Sequence, residues 1–268
     1  MSRQSRHTAP ALALVLLLTA SGAAHAQHAS SEDMNKSNNP LNPAPALNFH
    51  DYYSPELYGV DDYTNDLLVR GAMILPPGKP LPWPQILRAT VPISTRPDFG
   101  GGTTTGIGDA NIFDILLLKS SGPTQLGAGP LLTMPTASED ALGAGKWQAG
   151  LALVTVHPLS KGILGGLIQW QASFAGDEDR ADVNSLTVQP LFMRNLPSAW
   201  YLRSTAVWTF DLENDRYYIP IGVGLGKVWK PGTRTMNGFV EPQFTVAHDG
   251  DGLPKFTVFL GLNMTFGS

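Results

Sequence analysis

The chain contains no cysteine. That excludes disulfides, zinc–thiolate sites and a thiol nucleophile, so a fold of 268 residues must rest on backbone pairing and packing alone. Charge is scarce at 15%, and basic residues are outnumbered by acidic ones, 18 to 22. The basic footprint of a nucleic-acid partner is therefore missing. Beyond residue 26 no apolar run approaches the roughly 18 residues of a membrane helix, which excludes a helical membrane protein. What the chain has instead is 28 glycines and 22 prolines, a composition of many strands joined by punctuated turns.

Residues 1–26 read as a signal peptide. Arg3, Arg6 and His7 form a positive start, Ala11 to Ala20 a short apolar stretch, and Ala24-His25-Ala26 a small-x-small cleavage pattern. Cleavage after Ala26 leaves a chain starting at Gln27 with 16 basic and 22 acidic residues, a net charge of −6. Residues 27–46 are polar and rich in Asn, Ser and Pro, too poor in apolar surface to offset ordering entropy, and read as a flexible leader. A role as a plug is the other reading.

Residues 47–268 carry a period-two pattern. In the last segment Phe256, Val258, Leu260, Leu262, Met264 and Phe266 share one apolar face, and Lys255, Thr257, Phe259, Gly261, Asn263 and Thr265 the other. A continuous 12-residue alternation exceeds the soluble strand of about five or six residues and suits a tilted membrane-spanning strand of about 9–11. Similar alternation sets Tyr217, Ile219, Ile221, Val223 and Leu225 against Gly222, Gly224 and Gly226, and Leu164, Ile168, Trp170 and Phe174 against Gln169, Gln171 and Ser173. Trp83, Trp147, Trp200, Tyr201, Tyr217, Tyr218 and Trp229 fall near strand ends, where membrane-interface girdles would lie. The expected fold is all-β, a closed antiparallel transmembrane barrel of twelve strands within a range of ten to fourteen. Strands are expected near 47–58, 65–76, 84–95, 107–119, 124–135, 147–157, 163–175, 183–195, 199–210, 217–228, 236–247 and 255–266.

Sorting the connections alternately gives two chemically different ends. One set, PPGKPLP, SSGP, PLSKG, NLPSA and KPGTRT, is compact, proline-rich and free of acidic residues. The other holds Asp61, Asp62, Asp98, Glu139, Asp140, Asp177 to Asp182, Glu213, Asp215, Asp249 and Asp251. A barrel with a periplasmic and an external rim would show this division. Pro92, Pro190, Pro220 and Pro242 lie inside strands and each removes a ladder hydrogen bond. Asp109 and Asp114 fall on opposite faces of one segment, placing at least one at a rim or bulge.

The last strand, ending at Phe266 before Gly267 and Ser268, resembles the C-terminal signal of outer-membrane barrels; the resemblance implies contact with the barrel-assembly machinery through this strand. More specifically, an ordered set of motifs resembles the outer-membrane family named for the meta-pathway of phenol degradation. These are Gly106-Ile107-Gly108-Asp109, Gly127 to Pro130, Met134-Pro135-Thr136, Leu142 to Trp147, Gln189-Pro190, Asn195-Leu196-Pro197 with Trp200-Tyr201-Leu202, and Pro220 to Lys227. The resemblance implies an outer-membrane barrel transporting aromatic or other hydrophobic compounds, and assigns no catalytic or binding residue.

No catalytic constellation, cofactor motif or metal set stands out. There is no G-x-S-x-G, and His50, His157 and His248 have no evident serine partner. His248-Asp249-Gly250-Asp251-Gly252 lacks the remaining oxygen ligands of a calcium loop and reads as a rim turn. Gly222-Val223-Gly224-Leu225-Gly226 sits inside a strand with no following helix, against a phosphate loop. If the apolar faces meet outer-membrane lipid, Arg70, Arg88, Arg203, Glu241, Gln169, Gln171 and Gln189 line the lumen. Two readings of that lumen stay open: a path for small solutes, or an interior closed by a salt-bridge and amide network. Beside a channel stand a structural or adhesive barrel and a soluble periplasmic barrel binding an apolar ligand.

Overall fold

The computed structural model describes residues 27–79, 81–98, 101–118 and 122–267. Residues 1–26, expected to be a signal peptide, lie outside the described residues, as do parts of the turns at 80, 99–100 and 119–121 and the last residue, Ser268. Twelve strands run in chain order: β1 (Ala46–Leu57), β2 (Thr64–Leu75), β3 (Gln85–Pro97), β4 (Thr103–Ile107 with Ala110–Leu118), β5 (Gln125–Met134) and β6 (Lys146–Leu159). After these come β7 (Gly162–Gly176), β8 (Asn184–Asn195), β9 (Trp200–Ser204 with Trp208–Asp211), β10 (Arg216–Gly222 with Gly224–Lys230), β11 (Arg234–Asp249) and β12 (Pro254–Phe266). Each pairs antiparallel with its neighbours in sequence, and β12 closes on β1 from Pro254↔Leu57 to Thr265↔Ala46. The closed twelve-stranded barrel matches the architecture and the strand positions expected from the alternation. Closure removes every sheet edge, the condition for backbone to cross hydrocarbon. Among the described residues no helix is long and apolar enough to do so.

The apolar faces point outward. Val223 is 67% exposed, Phe174 64% and Leu151 62%, while their neighbours Gly222, Gly224 and Ala152 are buried. On β12, Thr257, Phe259 and Thr265 are buried inside, which turns Phe256, Val258, Leu260, Leu262, Met264 and Phe266 outward. A water-soluble barrel requires the reverse arrangement.

Alternation also corrects the aromatic girdle. Trp200 and Tyr217 are exposed, but Tyr201 is fully buried, and Tyr218 lies on the inner face with buried Pro220 and Gly222. Adjacent residues in a strand cannot both face lipid. Of the two aspartates flagged in β4, Asp109 sits at the break between the strand halves, where its carboxylate accepts from the backbone N–H of Ala137 (3.2 Å) and Ala144 (2.7 Å). Asp114 faces outward between inward-facing Phe113 and Ile115, opposite Leu87, with Oδ1 buried and unbonded. Pro220 is absorbed by a register shift between Ile219 and Pro220.

The largest departure is at the N-terminus. Residues 29–45 are folded and lie inside the barrel mouth. Ser30 caps a helix, α1 (Ser31–Asn38), through a reciprocal capping box with Asp33, and Met34 and Leu41 are buried. They pack into one cluster with Ile115, Val156, Ile163, Met193 and Val228. The expectation of a flexible leader fails because tertiary contact supplies what the segment's own composition lacks: a short polar helix gains stability only against a prepared surface. The interior at this end is accordingly apolar, not uniformly hydrophilic.

Candidate functional site

The lumen is built from alternate residues of all twelve strands, and α1 sits at its proline-rich end. The polar contacts that the helix makes with the barrel, among the described residues, reach strand termini at that end or the wall just inside it. Asn195 Nδ2 donates to Ser31 O (3.3 Å) and Asn35 Oδ1 (2.9 Å), and Asn39 Nδ2 donates to Gln125 Oε1 (2.7 Å). Lys230 Nζ lies 3.0 Å from Asp33 Oδ1. Tyr201 donates its phenol to Asn237 Oδ1 (2.5 Å), and the Asn237 amide donates to Asn38 Oδ1 (3.0 Å), so the plug is tied to the buried wall. Gly127 makes room: a Cβ there would lie 2.8 Å from Leu41 Cδ2. Burial pushes the Asp33 carboxyl up, but hydrogen bonds from the Ser30 backbone and Lys230 outweigh it and hold the group below its ordinary value.

Above the plug, the predicted lumen residues divide into two groups. Arg203 and Glu241 form a closed knot. Arg203 Nε donates to Glu241 Oε2 (2.7 Å) and Nη2 to Thr205 Oγ1 (2.7 Å), while Thr205 N and Gln243 Nε2 donate to Glu241 Oε1 (2.8 and 3.1 Å). The guanidinium carbon lies 3.3 Å over the Phe239 ring. Glycines 222 and 224 leave the volume of the knot, since a Cβ at Gly224 would collide with Glu241 and one at Gly222 with Gln243. These glycines make space, and no phosphate loop is formed. Gln189 belongs to the knot's surroundings, donating to Thr205 O (2.9 Å) at the break in β9.

Arg70 and Arg88 form the second group. Arg88 stands opposite Ala72 and Arg70 opposite Thr90, which makes the two arginines diagonal neighbours on one face, roughly 7 Å apart at the backbone. Arg70 Nη1 lies 2.9 Å from His50 Nδ1, and His50 Nε2 lies 2.8 Å from Asn263 Oδ1. Arg88 rests 3.8 Å over the Phe113 ring. The Nε atoms of both arginines are buried and unbonded, and among the described residues no carboxylate is within ion-pair distance of either. Together with Arg203 and Gln189 they line a cavity of about 170 Å³, floored by the end of α1 and the strand of chain after it.

Gln169 and Gln171 share the inner face of β7 with buried Ile163 and Leu167 but do not line this cavity; Gln171 Oε1 accepts from Thr133 Oγ1 (3.2 Å) nearer the acidic end. Sequence reasoning missed the aromatic wall. Tyr52 stacks on Phe259 at 4.0 Å, and Phe239 meets Phe259 edge-on at 4.9 Å. Phe259 is the one large apolar residue on the otherwise small, polar face of β12, and was the available signal.

Elsewhere, the His248 to Gly252 stretch is a rim turn in which Gly252 N donates to Tyr58 O and His248 stacks on Tyr58 at 3.5 Å. Among the described residues there is no cluster of three metal-ligating side chains. At the acidic end, motifs far apart in sequence meet: Gly143 leaves room for the Asp109 carboxylate, and Gly106 for Ser138.

No protein-family model matches the chain, and no curated protein matches its sequence. Solved structures do. An outer membrane channel from Pseudomonas putida F1 is similar with a TM-score of 0.64 at 15% identity, over 85% of this chain and 97% of that one. The NanC porin gives 0.52 at 8% identity, over 83% and 99%. The KdgM porin, solved in complex with disordered oligogalacturonate, gives 0.50 at 10% identity, over 82% and 99%. At these identities the likeness is one of fold: the chain adopts the closed antiparallel barrel of outer-membrane channels and porins.

Proposed function

We propose that the chain is an outer-membrane channel for small solutes, aromatic or hydrophobic compounds among them, whose mouth at the proline-rich end is corked by its own residues 29–45. Export would use residues 1–26 with cleavage after Ala26, and the C-terminal strand, ending at Phe266, would engage the barrel-assembly machinery. The proline-rich end would then face the periplasm and the acidic end the exterior. The observation that carries the reading is the pairing of an outward apolar surface with a charged, partly hollow interior, closed at one end by a separate segment that is held by non-covalent side-chain contacts and belongs to no barrel strand. Such an interior sets passage by its field and hydrogen bonding. The likeness to channels and porins supports it, as does the resemblance to the phenol meta-pathway family.

The cork also favours a second reading, a barrel that serves envelope structure and passes nothing. Planar-bilayer recordings of the refolded protein separate the two. A channel predicts small or intermittent conductance from the chain starting at Gln27, and larger steady conductance once residues 27–44 are deleted. Silence from both proteins, each inserted and heat-modifiable on gels, would leave the structural reading standing.

A further inference from the structure

The unpaired Arg70–Arg88 pair has a chemical counterpart missing from the chain. A buried arginine is ordinarily retained against its desolvation by a carboxylate or phosphate partner. Buried Arg203 meets that rule with Glu241, and even half-buried Arg96 has Asp66. Arg70 and Arg88, half-buried on the lumen wall, have no such partner among the described residues, although each keeps a buried, unbonded Nε beside the cavity. His50 and Asn263 continue the polar wall, and neither carries a negative charge.

Apolar side chains share the lining with the arginines, and Phe113 lies directly beneath Arg88. Phe113, Ile115, Leu167 and Phe239 face the same cavity. At about 170 Å³ the space compares with the roughly 150 Å³ apolar cavity that accommodates benzene. A ligand filling it would present one anionic group to two guanidinium forks and a flat apolar body to the aromatics. Guanidinium geometry matches a planar carboxylate through two parallel hydrogen bonds. Resting on the channel reading, we infer that the lumen holds a selectivity site for small aromatic carboxylates, with Arg70 and Arg88 taking the carboxylate and the apolar part of the lining, Ile115 and Leu167 with the edges of Phe113 and Phe239, taking the ring.

Calorimetric titration of the refolded full chain in detergent tests the site without relying on conductance. The probes are benzoate, its uncharged counterpart benzyl alcohol, and acetate, which has the charge without the ring. Benzoate is expected to bind at least ten-fold more tightly than either, and R70Q/R88Q to lose that binding while remaining heat-modifiable. Equal binding of benzoate and benzyl alcohol, equal binding of benzoate and acetate, or undiminished binding by the double variant each overturns the inference. If the double variant fails to fold, the three-probe comparison on the unaltered chain still decides. Benzoate bound by a protein that never conducts would refute the channel and keep the site; conductance without benzoate selectivity would do the opposite.

Discussion

Lys230, the last residue of β10, lies 3.0 Å from Asp33 in the first turn of α1, the one ion pair between the cork and the barrel wall among the described residues. Both side chains are about one-fifth exposed, so the pair belongs with partly screened ion pairs worth about 1 kcal/mol. Removing it is expected to loosen the cork without unfolding the barrel: Lys230→Met should raise the open fraction in bilayer recordings roughly five-fold. An unchanged open fraction would mean that packing alone seats the helix.

The same contact gives the cork a pH dependence. The Asp33 carboxyl, held below its ordinary 3.8 when docked, contributes stability that is complete above that value and is lost as pH falls through the docked one. Conductance should therefore rise as pH is lowered below about 4, and Asp33→Asn should flatten the profile. A rise on the alkaline side instead would contradict the assignment.

Leu41 is 2% exposed and fills the space over Gly127. Leu41→Ala should cost the docked segment about 2–4 kcal/mol, and Gly127→Val should expel Leu41 by overpacking. Both are expected to increase conductance toward that of the chain lacking residues 27–44. Limited proteolysis provides an independent check, since residues 29–45 should become cleavable in either variant.

Glu241 is fully buried, and its loss strands Arg203. Glu241→Ala should lower barrel stability by about 3–5 kcal/mol, whereas Arg203→Met with Glu241→Met should recover much of it. The temperature at which the folded band disappears from detergent gels measures both.

Asp114 places an unbonded carboxylate oxygen on the outward face of β4. Asp114→Leu is expected to stabilise the barrel in lipid by about 1–2 kcal/mol, read as a higher urea midpoint. Destabilisation would show that this aspartate has a partner in the bilayer.

The barrel was legible because a two-residue period runs through most strands and survives the interruption of β9, where the register across the gap between Ser204 and Trp208 is unshifted; the break in β4 instead shifts the register by one and turns outward parity inward, Ile107 facing out and Phe113 in. The inward placement of Arg70, Arg88, Arg203 and Glu241 follows from the same parity. Partner choice does not, since nothing local distinguishes Arg203, which has a carboxylate, from Arg70, which has none. The cork was hidden for a related reason. Its composition is polar, and its two buried anchors, Met34 and Leu41, gain meaning only from Ile115, Val156 and Ile163 on strands far away. One local signal was present: Ser30 followed three residues later by Asp33, just before Met34, is a helix-start pattern. Interior apolar residues at Val154, Val156 and Met193 were a second, because a water-filled lumen has no use for them.

The cork precedes β1, yet two of its polar partners come from near the far end of the chain. Asp33 waits for Lys230 and Asn38 for Asn237, separations of 197 and 199 residues. A polypeptide interrupted before β10 therefore holds its stopper through Gln125, Asn195 and the apolar cluster alone, without the ion pair and the amide latch that complete the seat. Full seating of the interior is thus bound to the last third of the sheet, which makes a loosely stoppered, half-built cylinder the hazard that this residue order has to outrun.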